Sequence, residues 1–430
     1  MAELLPACNT VILDEAHQLP ETATLFFGQS FSTGQVLDLT RDMLTEGVAA
    51  APDMRELPDA ARKLDRAARD LRLSVPGKEA RVPAQALQRD DKFSEALAGM
   101  HKALLAALNI LKLAEGRSEG LAKAAERAEA LQDRLARWVD DDYEDQVRWV
   151  ETFTHALALH ATPLSVADPF RRELEGRPRA WIFTSATLAV NKDFAHYQGQ
   201  MGLEESQCVA WDSPFDYASN GLFYLPRVLP EPNSPEHTRA VIEQALPVLR
   251  ASGGRAFLLF TTLRAMRQAQ ALLSESFKSQ GFDFPLLMQG EGTRSELLER
   301  FRALGNAVLL ASASFWEGVD VRGEALSLVV IDKLPFAPPD DPVMQARLDS
   351  LRKQGGNPFM EYQLPQAAIA LKQGAGRLIR DERDRGVLMI CDPRLVTKGY
   401  GKSLVASLPP MRRTRDLSAV EAFFAQEAVV

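Results

Sequence analysis

From residue 180 onward one pattern repeats: a short apolar run that ends in polar residues, then a helical stretch. The runs are AWIFTSATL (180–188), RAFLLFTT (255–262), NAVLLASAS (306–314), LSLVVIDKLPF (326–336) and GVLMICDPR (386–394). Their cores are continuous rather than alternating, as strands covered on both faces require. Between them, residues 263–277 and 294–304 carry apolar side chains at helical spacing. Such a sequence folds into a doubly wound α/β layer, a largely parallel sheet with helices on both faces. Functional groups in that architecture collect at the carboxyl ends of the strands.

Residues 26–170 have another texture, rich in Ala, Leu, Arg, Lys and Glu. Leu97, Met100, Leu104, Leu108 and Leu111 recur every three or four residues, as do Leu121, Ala125, Ala128, Leu131, Leu135 and Trp138. Gly116 and Gly120 separate the two series, which predicts an antiparallel helical pair. VRWVETF (147–153) and ALALHAT (156–162) predict a short hairpin behind it. The acidic run 140–145 reads as a solvated helix end.

A chain of 430 residues exceeds one ordinary domain, so two or three are expected. No stretch approaches about eighteen apolar residues, which predicts no transmembrane helix and no membrane partner. The N-terminus lacks a basic region followed by a long apolar run, so no secretory signal is expected. Cys8, Cys208 and Cys391 lie far apart, which fits a reducing cytoplasm and argues against a disulfide framework or a four-cysteine metal cluster. With a net charge of −8, any contact with nucleic acid must use a local groove rather than the whole surface.

Several strand ends carry chemistry. In TVILDEAHQLPE (10–21), Asp14 and Glu15 follow Val11, Ile12 and Leu13 and so sit at the carboxyl end of a buried strand. One carboxylate suits Mg²⁺, and its neighbour can orient or deprotonate the water that attacks a γ-phosphate. His17 can couple that site to a neighbouring strand turn. TSATL (184–188) offers Ser185 and Thr187 as hydrogen-bond relays between a phosphate site and a polymer groove. In QGAGRLIR (373–380), Arg377 and Arg380 are three apart, which predicts one helical face presenting two guanidinium groups to a transferring phosphoryl group. Gly374 and Gly376 would let that helix approach another backbone. In SFWEGVDVRG (314–323), Glu317, Gly318 and Asp320 can read ribose, metal or the arginines, and Trp316 can stack on a base or fill core. GYGKS (399–403) imitates a phosphate loop but has Val396 where a glycine is needed. His155 and His160 would lie on opposite faces of the hairpin and share no metal.

In this order the segments resemble the XPD/DinG group of superfamily 2 DNA helicases, in particular its YoaA-like branch. DEAH is similar to motif II, TSATL to motif III, AFLLFTT to the motif IV region, SFWEGVD to motif V and QGAGRLIR to motif VI. TKGYGKSLVASLPP (397–410) is similar to the family's tail, and the likeness covers nearly the whole chain. It implies an α/β fold with RecA-like motor domains, the second complete and the first partial, plus an inserted, mainly helical arch. The implied division is 1–25 and 171–205 for the first motor domain, 26–170 for the arch and 206–430 for the second motor domain.

By the same resemblance, Asp14, Glu15 and His17 with Gln373, Arg377 and Arg380 would be catalytic, using ATP and Mg²⁺ across an interdomain cleft. Ser185, Thr187, Glu317, Gly318 and Asp320 would bind the nucleotide, and Thr261, Thr262, Arg264 and Trp316 nucleic acid. Family members translocate 5′ to 3′ on single-stranded or forked DNA, work with replication and repair proteins in the bacterial cytoplasm, and carry a [4Fe–4S] cluster. The family's phosphate loop and four cluster cysteines precede motif II, and only thirteen residues precede Asp14 here. The expectation is therefore the carboxyl-terminal part of a longer helicase, with little ATPase of its own. Two alternatives stay open: a non-catalytic DNA-binding or adaptor module, drawing on RRTR (412–415), and an ATPase acting on RNA.

Overall fold

The computed structural model describes residues 8–77, 80–140, 145–176, 179–312, 315, 325–338 and 340–426. They form two compact units that interleave along the chain. The first takes the chain up to Thr184, with Gln198–Glu204 and Pro338–Gly356; the second takes Ser185–Tyr197, Glu205–Ala337 and Asn357 onward.

In the first unit, β1 (Thr10–Leu13) and β6 (Ala180–Phe183) form a two-stranded parallel sheet, Leu13 opposite Phe183. Ile12 is 63% exposed and Ile182 44%, so this small sheet leaves apolar surface uncovered within its unit. The chain between them builds the helical insert. The expected pair is there as Asp91–Ala114 and Glu119–Val139, and Ser118 caps the second helix by accepting from the Leu121 amide at 3.1 Å. Two more long helices, Thr33–Ala50 and Glu56–Ser74, complete the bundle. Their core is the predicted leucine series together with Leu39, Met43, Leu57, Leu64 and Leu71.

Against expectation, the stretch Asp91–Arg117 is long and apolar enough by length and composition to cross a membrane. Its Met100, Leu104, Leu108 and Leu111 are buried in the bundle core. The hairpin is also larger than predicted. β4 (Gln146–Thr152) and β5 (Leu157–Pro163) pair with β3 (Arg81–Pro83) and β2 (Gln29–Ser32) in an antiparallel sheet of order β2-β5-β4-β3. Strands of three and four residues are too short for periodicity to find them.

A helix from the far end of the sequence, Pro342–Lys353, belongs to this first unit, where the sequence placed it in the second motor domain. Asp341 caps it, accepting from the Met344 amide at 2.8 Å, and also pairs with Arg81 of β3 at 3.1 Å. Arg347 donates to the Leu164 carbonyl at 3.1 Å and to Thr24 Oγ1 at 3.0 Å, and Leu348 is buried.

The second unit is a seven-stranded parallel sheet of order β13-β7-β12-β11-β8-β10-β9. Its strands are β7 (Gly221–Tyr224), β8 (Ala256–Phe260), β9 (Leu286–Met288), β10 (Val308–Ser312), β11 (Leu328–Ile331), β12 (Gly386–Ile390) and β13 (Arg412–Thr414). Five of these are buried at every residue or all but one, as the continuous apolar runs demand. Phe257, Leu309, Val329 and Leu388 face one helical layer, with Leu297 and Leu371. Leu258, Val308, Val330 and Met389 face the other, with Val241 and Leu273. Taken with the insert of the first unit, the chain has an α/β RecA-like fold with a helical insert.

Candidate active site

The first half-site grows from the end of β1. The β1–β6 ladder continues one step past the strands, Thr184 N donating to the Leu13 carbonyl and Ala16 N to the Thr184 carbonyl, each at 2.9 Å. Between these bonds Glu15 takes a left-handed conformation, φ 50° and ψ 39°, uncommon for a residue with a side chain. The turn leaves both carboxylates exposed and tucks Ala16 inside. Thr184 Oγ1 donates to Asp14 Oδ1 at 2.7 Å. That bond, then the Glu15 amide, holds the Asp14 carboxyl below the usual carboxylate range, so it is ionised at neutral pH. His17 Nδ1 lies 3.3 Å from Glu15 Oε2. Thr184, which the sequence did not single out, is the residue that ties the two strand ends together.

The second unit holds the other candidates. Gln373 lies in the last turn of the helix Leu364–Ala375, 7% exposed, and its Nε2 has no hydrogen-bond partner among the described residues. Arg377 and Arg380 do not share a helical face. The helix ends at Ala375 with Gly376 as its cap, and both arginines lie in the turn that follows. Two glycines in the final turn weaken the helix where the spacing had prolonged it. Nor does Gly376 meet another backbone: a side chain there would crowd only the Lys372 and Gln373 carbonyls of its own helix. The turn is fixed instead by the buried Asp384, whose Oδ2 accepts from the Arg380 amide at 2.7 Å and the Asp381 amide at 2.9 Å. Arg380 Nε returns to the Gly376 carbonyl at 3.3 Å.

Ser185 and Thr187 form a compact hydroxyl turn, with Thr187 N donating to Ser185 Oγ at 3.2 Å and Thr187 buried. Thr262 caps the helix Leu263–Gln280, accepting from the Ala265 amide at 3.2 Å. Thr262 and Arg264 are exposed there, and Thr261 is half-buried. Trp316, Glu317, Gly318 and Asp320 lie outside the described residues. Gly401 of the false phosphate loop is needed for packing, since a side chain would strike the Leu395 carbonyl. His160 stacks on Trp149 at 4.1 Å, while His155 sits in the tight turn between β4 and β5.

Two buried carboxylates also escaped the sequence. Asp332 follows β11 and Asp392 follows β12, 3% and 0% exposed. Burial pushes the Asp332 carboxyl up to about 7. Asp392 is bidentate with Arg394, Nη2 to Oδ2 at 2.6 Å and Nε to Oδ1 at 3.0 Å. The signal was present, because both apolar runs end in Asp, as does VILD.

The donor sets discriminate between metals. An exposed, ionised Asp14 beside a second carboxylate suits Mg²⁺, a hard cation that retains most of its waters. The cysteines do not suit an iron–sulfur cluster. Cys391 is fully buried with its thiol pushed well up, Cys208 is exposed, and among the described residues no group of three His, Cys, Asp or Glu is placed to hold a metal.

Residues 245–411 match the family model described as helicase C-terminal domain. The chain is 43% identical over 423 residues to the ATP-dependent DNA helicase YoaA of Escherichia coli, covering 98% of this chain and 66% of that protein. It is 41% identical to YoaA of Haemophilus influenzae, covering 98% and 65%. The ATP-dependent helicase DinG of Mycobacterium tuberculosis is 37% identical over 270 residues, 61% of this chain and 40% of that one. The chain thus spans about two thirds of the length of the first two relatives. Among solved structures, an XPD helicase superposes with a TM-score of 0.57 at 15% identity, covering 94% of this chain and 68% of that one. Xpd4 of S. tokodaii gives 0.61 at 14%, covering 94% and 75%. The order of the strand-end motifs, the parallel sheet and the near full-length similarity together make this chain a member of the XPD/DinG-like superfamily 2 helicases.

Proposed function

We propose that the chain carries the motif II to motif VI part of an ATP-dependent DNA helicase, moving 5′ to 3′ on single-stranded or forked DNA in replication-linked repair in a bacterial cytoplasm. The observation that carries the reading is the strand-end turn at Asp14, an ionised carboxylate fixed by Thr184 with Glu15 beside it. In this reading Asp14 and Glu15 hold Mg²⁺, which when bound neutralises charge on the β- and γ-phosphates. Glu15, with His17 against its carboxylate, orients the attacking water. Arg377 and Arg380 supply planar charge for the phosphoryl group, and the unpartnered Gln373 amide is a donor for a ligand oxygen. Ser185 and Thr187 relay between nucleotide and DNA, while Thr261, Thr262 and Arg264 take the DNA backbone at a helix N-terminus. The names of the YoaA relatives support DNA as the track.

The one Gly-Lys-Ser of the sequence, 401–403, has Val396 where a phosphate loop needs a glycine, and among the described residues no strand leads directly into it, so the chain by itself should hydrolyse ATP weakly while still binding DNA. Anisotropy of labelled single-stranded DNA across a salt series tests the reading. Affinity should fall steeply with salt, and Arg264→Ala should flatten the slope. Binding that ignores salt, or that prefers RNA, would refute it. DNA-stimulated turnover by the 430-residue chain, abolished in Arg377→Ala, would overturn the expectation of weak hydrolysis.

A further inference from the structure

Three strands share one device at their carboxyl ends. Asp14, Asp332 and Asp392 each stand just past an apolar strand, and each accepts from a residue just past the neighbouring strand. Asp14 meets Thr184 beyond β6, Asp332 meets Thr261 beyond β8, and Asp392 meets Leu334 beyond β11. The proposed ATPase uses the first and leaves the two buried ones without a role.

Their geometry repeats. The β11–β8 ladder ends with Asp332 N donating to the Leu259 carbonyl at 3.0 Å. There the strands part, and the Thr261 amide is left without a ladder acceptor. Asp332 Oδ1 supplies one at 3.0 Å, and Oδ2 lies 3.4 Å from Thr261 Oγ1. One strand over, Cys391 N donates to the Ile331 carbonyl at 2.9 Å, and Asp392 Oδ2 then takes the Leu334 amide at 2.8 Å. Each carboxylate thus carries the pairing past the end of the ladder and fixes the direction in which its neighbour leaves the sheet.

The two differ in compensation. Asp392 has the Arg394 guanidinium against both oxygens. Among the described residues Asp332 has only amides and a hydroxyl: its Oδ1 takes the Thr261 amide and the Lys333 amide, the latter at 2.8 Å. Among the described residues the ionisable groups around it are Lys333 on its own strand exit, Cys391 after β12 with Asp392 beside that thiol, and His237, whose Nε2 lies 3.0 Å from the Asp332 carbonyl. A buried carboxylate without a guanidinium partner is costly. A turn that needed only closure could present its amide to water at no such cost. What the carboxylate adds is a fixed direction for Thr261, and with it for Thr262 and Arg264 in the first turn of the helix Leu263–Gln280.

We infer that Asp332 is a positioning residue for DNA binding: its carboxylate grips Thr261 so that Thr262, Arg264 and the helix N-terminus meet the phosphate backbone in a set orientation. The inference rests on the proposed DNA surface at Thr261–Arg264, and one set of variants tests the two separately.

In the full 430-residue chain, Asp332→Ala, Asp332→Asn and Arg264→Ala are compared by hydrogen exchange over residues 257–266 and by anisotropy with a labelled oligothymidylate. Asp332→Ala should speed exchange at Thr261 and in the first helical turn and weaken DNA about ten-fold, the scale of one charge-assisted hydrogen bond. Asp332→Asn keeps an acceptor for the Thr261 amide and should recover most of both, which also separates loss of the grip from loss of fold. Arg264→Ala should weaken DNA with exchange unchanged. Unchanged exchange in Asp332→Ala overturns the positioning role, and so does faster exchange at unaltered affinity when Arg264→Ala does weaken DNA. An Arg264→Ala chain that binds normally overturns the DNA surface itself.

Discussion

The helix Pro342–Lys353 is tied into the first unit across a large separation in sequence, and Arg347 is the tie that can be cut most cleanly. Its guanidinium donates to the Leu164 carbonyl at 3.1 Å, Thr24 Oγ1 at 3.0 Å and the Pro163 carbonyl at 3.5 Å. Arg347→Met keeps the aliphatic stem over the same surface and removes only the charged fork. Bonds from a charged donor contribute about 1.5–3 kcal/mol each, but carbonyls at the end of β5 can turn to water, so the expected loss is roughly 2–3 kcal/mol. That is local, because the helix is otherwise held by Leu348 and the Asp341–Arg81 pair. Hydrogen exchange is the assay: amides of residues 343–353 should exchange about 30- to 150-fold faster, with β12 unchanged. Thr24→Val alone should have a smaller effect, and the double variant should lose less than the sum, since both remove one shared bond. An effect below about two-fold in Arg347→Met would mean that apolar burial, and not the hydrogen bonds of Arg347, seats the helix.

Three further outcomes follow from particular contacts. Thr184→Val should return the Asp14 carboxyl toward its ordinary value, read by carboxyl NMR titration; an unmoved Asp14 would show that the Thr184 bond is not its main cause. Asp332 is raised from 3.8 to about 7, so its contribution favours the folded state fully below about pH 4 and is lost as pH climbs through 7. At about 1.4 kcal/mol per pH unit the loss is roughly 4 kcal/mol, so urea stability of Asp332→Asn relative to the parent should rise by up to that amount from acid to mildly alkaline pH, and a constant difference would refute it. Ile12→Lys should reduce light scattering at high concentration, because Ile12 is 63% exposed on a two-stranded sheet; unchanged scattering would place self-association elsewhere.

What could be read in the sequence was what depends on local period. The continuous apolar runs predicted a parallel sheet, and the leucine series predicted the helices Asp91–Ala114 and Glu119–Val139. What escaped depends on distant partners or on competition at an element's end. Asp341 and Arg81 are 260 residues apart, so nothing in the period of residues 342–353 tells which unit they join. The spacing of Arg377 and Arg380 is helical, yet Gly374 and Gly376 end the helix before either arginine, so cap chemistry overrode periodicity.

The strand-end aspartates mark where local reading stops in a more instructive way. VILD, VVID and MICD are nearly the same string, and each sets an aspartate just beyond a strand. The surroundings then divide them. Asp14 is exposed, takes a hydroxyl from Thr184, and stays ionised with its neighbour Glu15 beside it. Asp392 is sealed from solvent and neutralised by Arg394, which makes it a fixed joint between β12 and the exit of β11. Asp332 is also sealed but, among the described residues, without a guanidinium, so it holds Thr261 at an electrostatic cost that its neighbour avoids. At Asp332 and Asp392 a carboxylate at the end of a parallel strand thus extends pairing past the ladder, whereas Asp14 takes only a side-chain hydroxyl from its neighbouring strand. Whether such a carboxylate becomes a ligand, a joint or a strained positioning group is decided by exposure and by the cation beside it, neither of which the four-letter string contains.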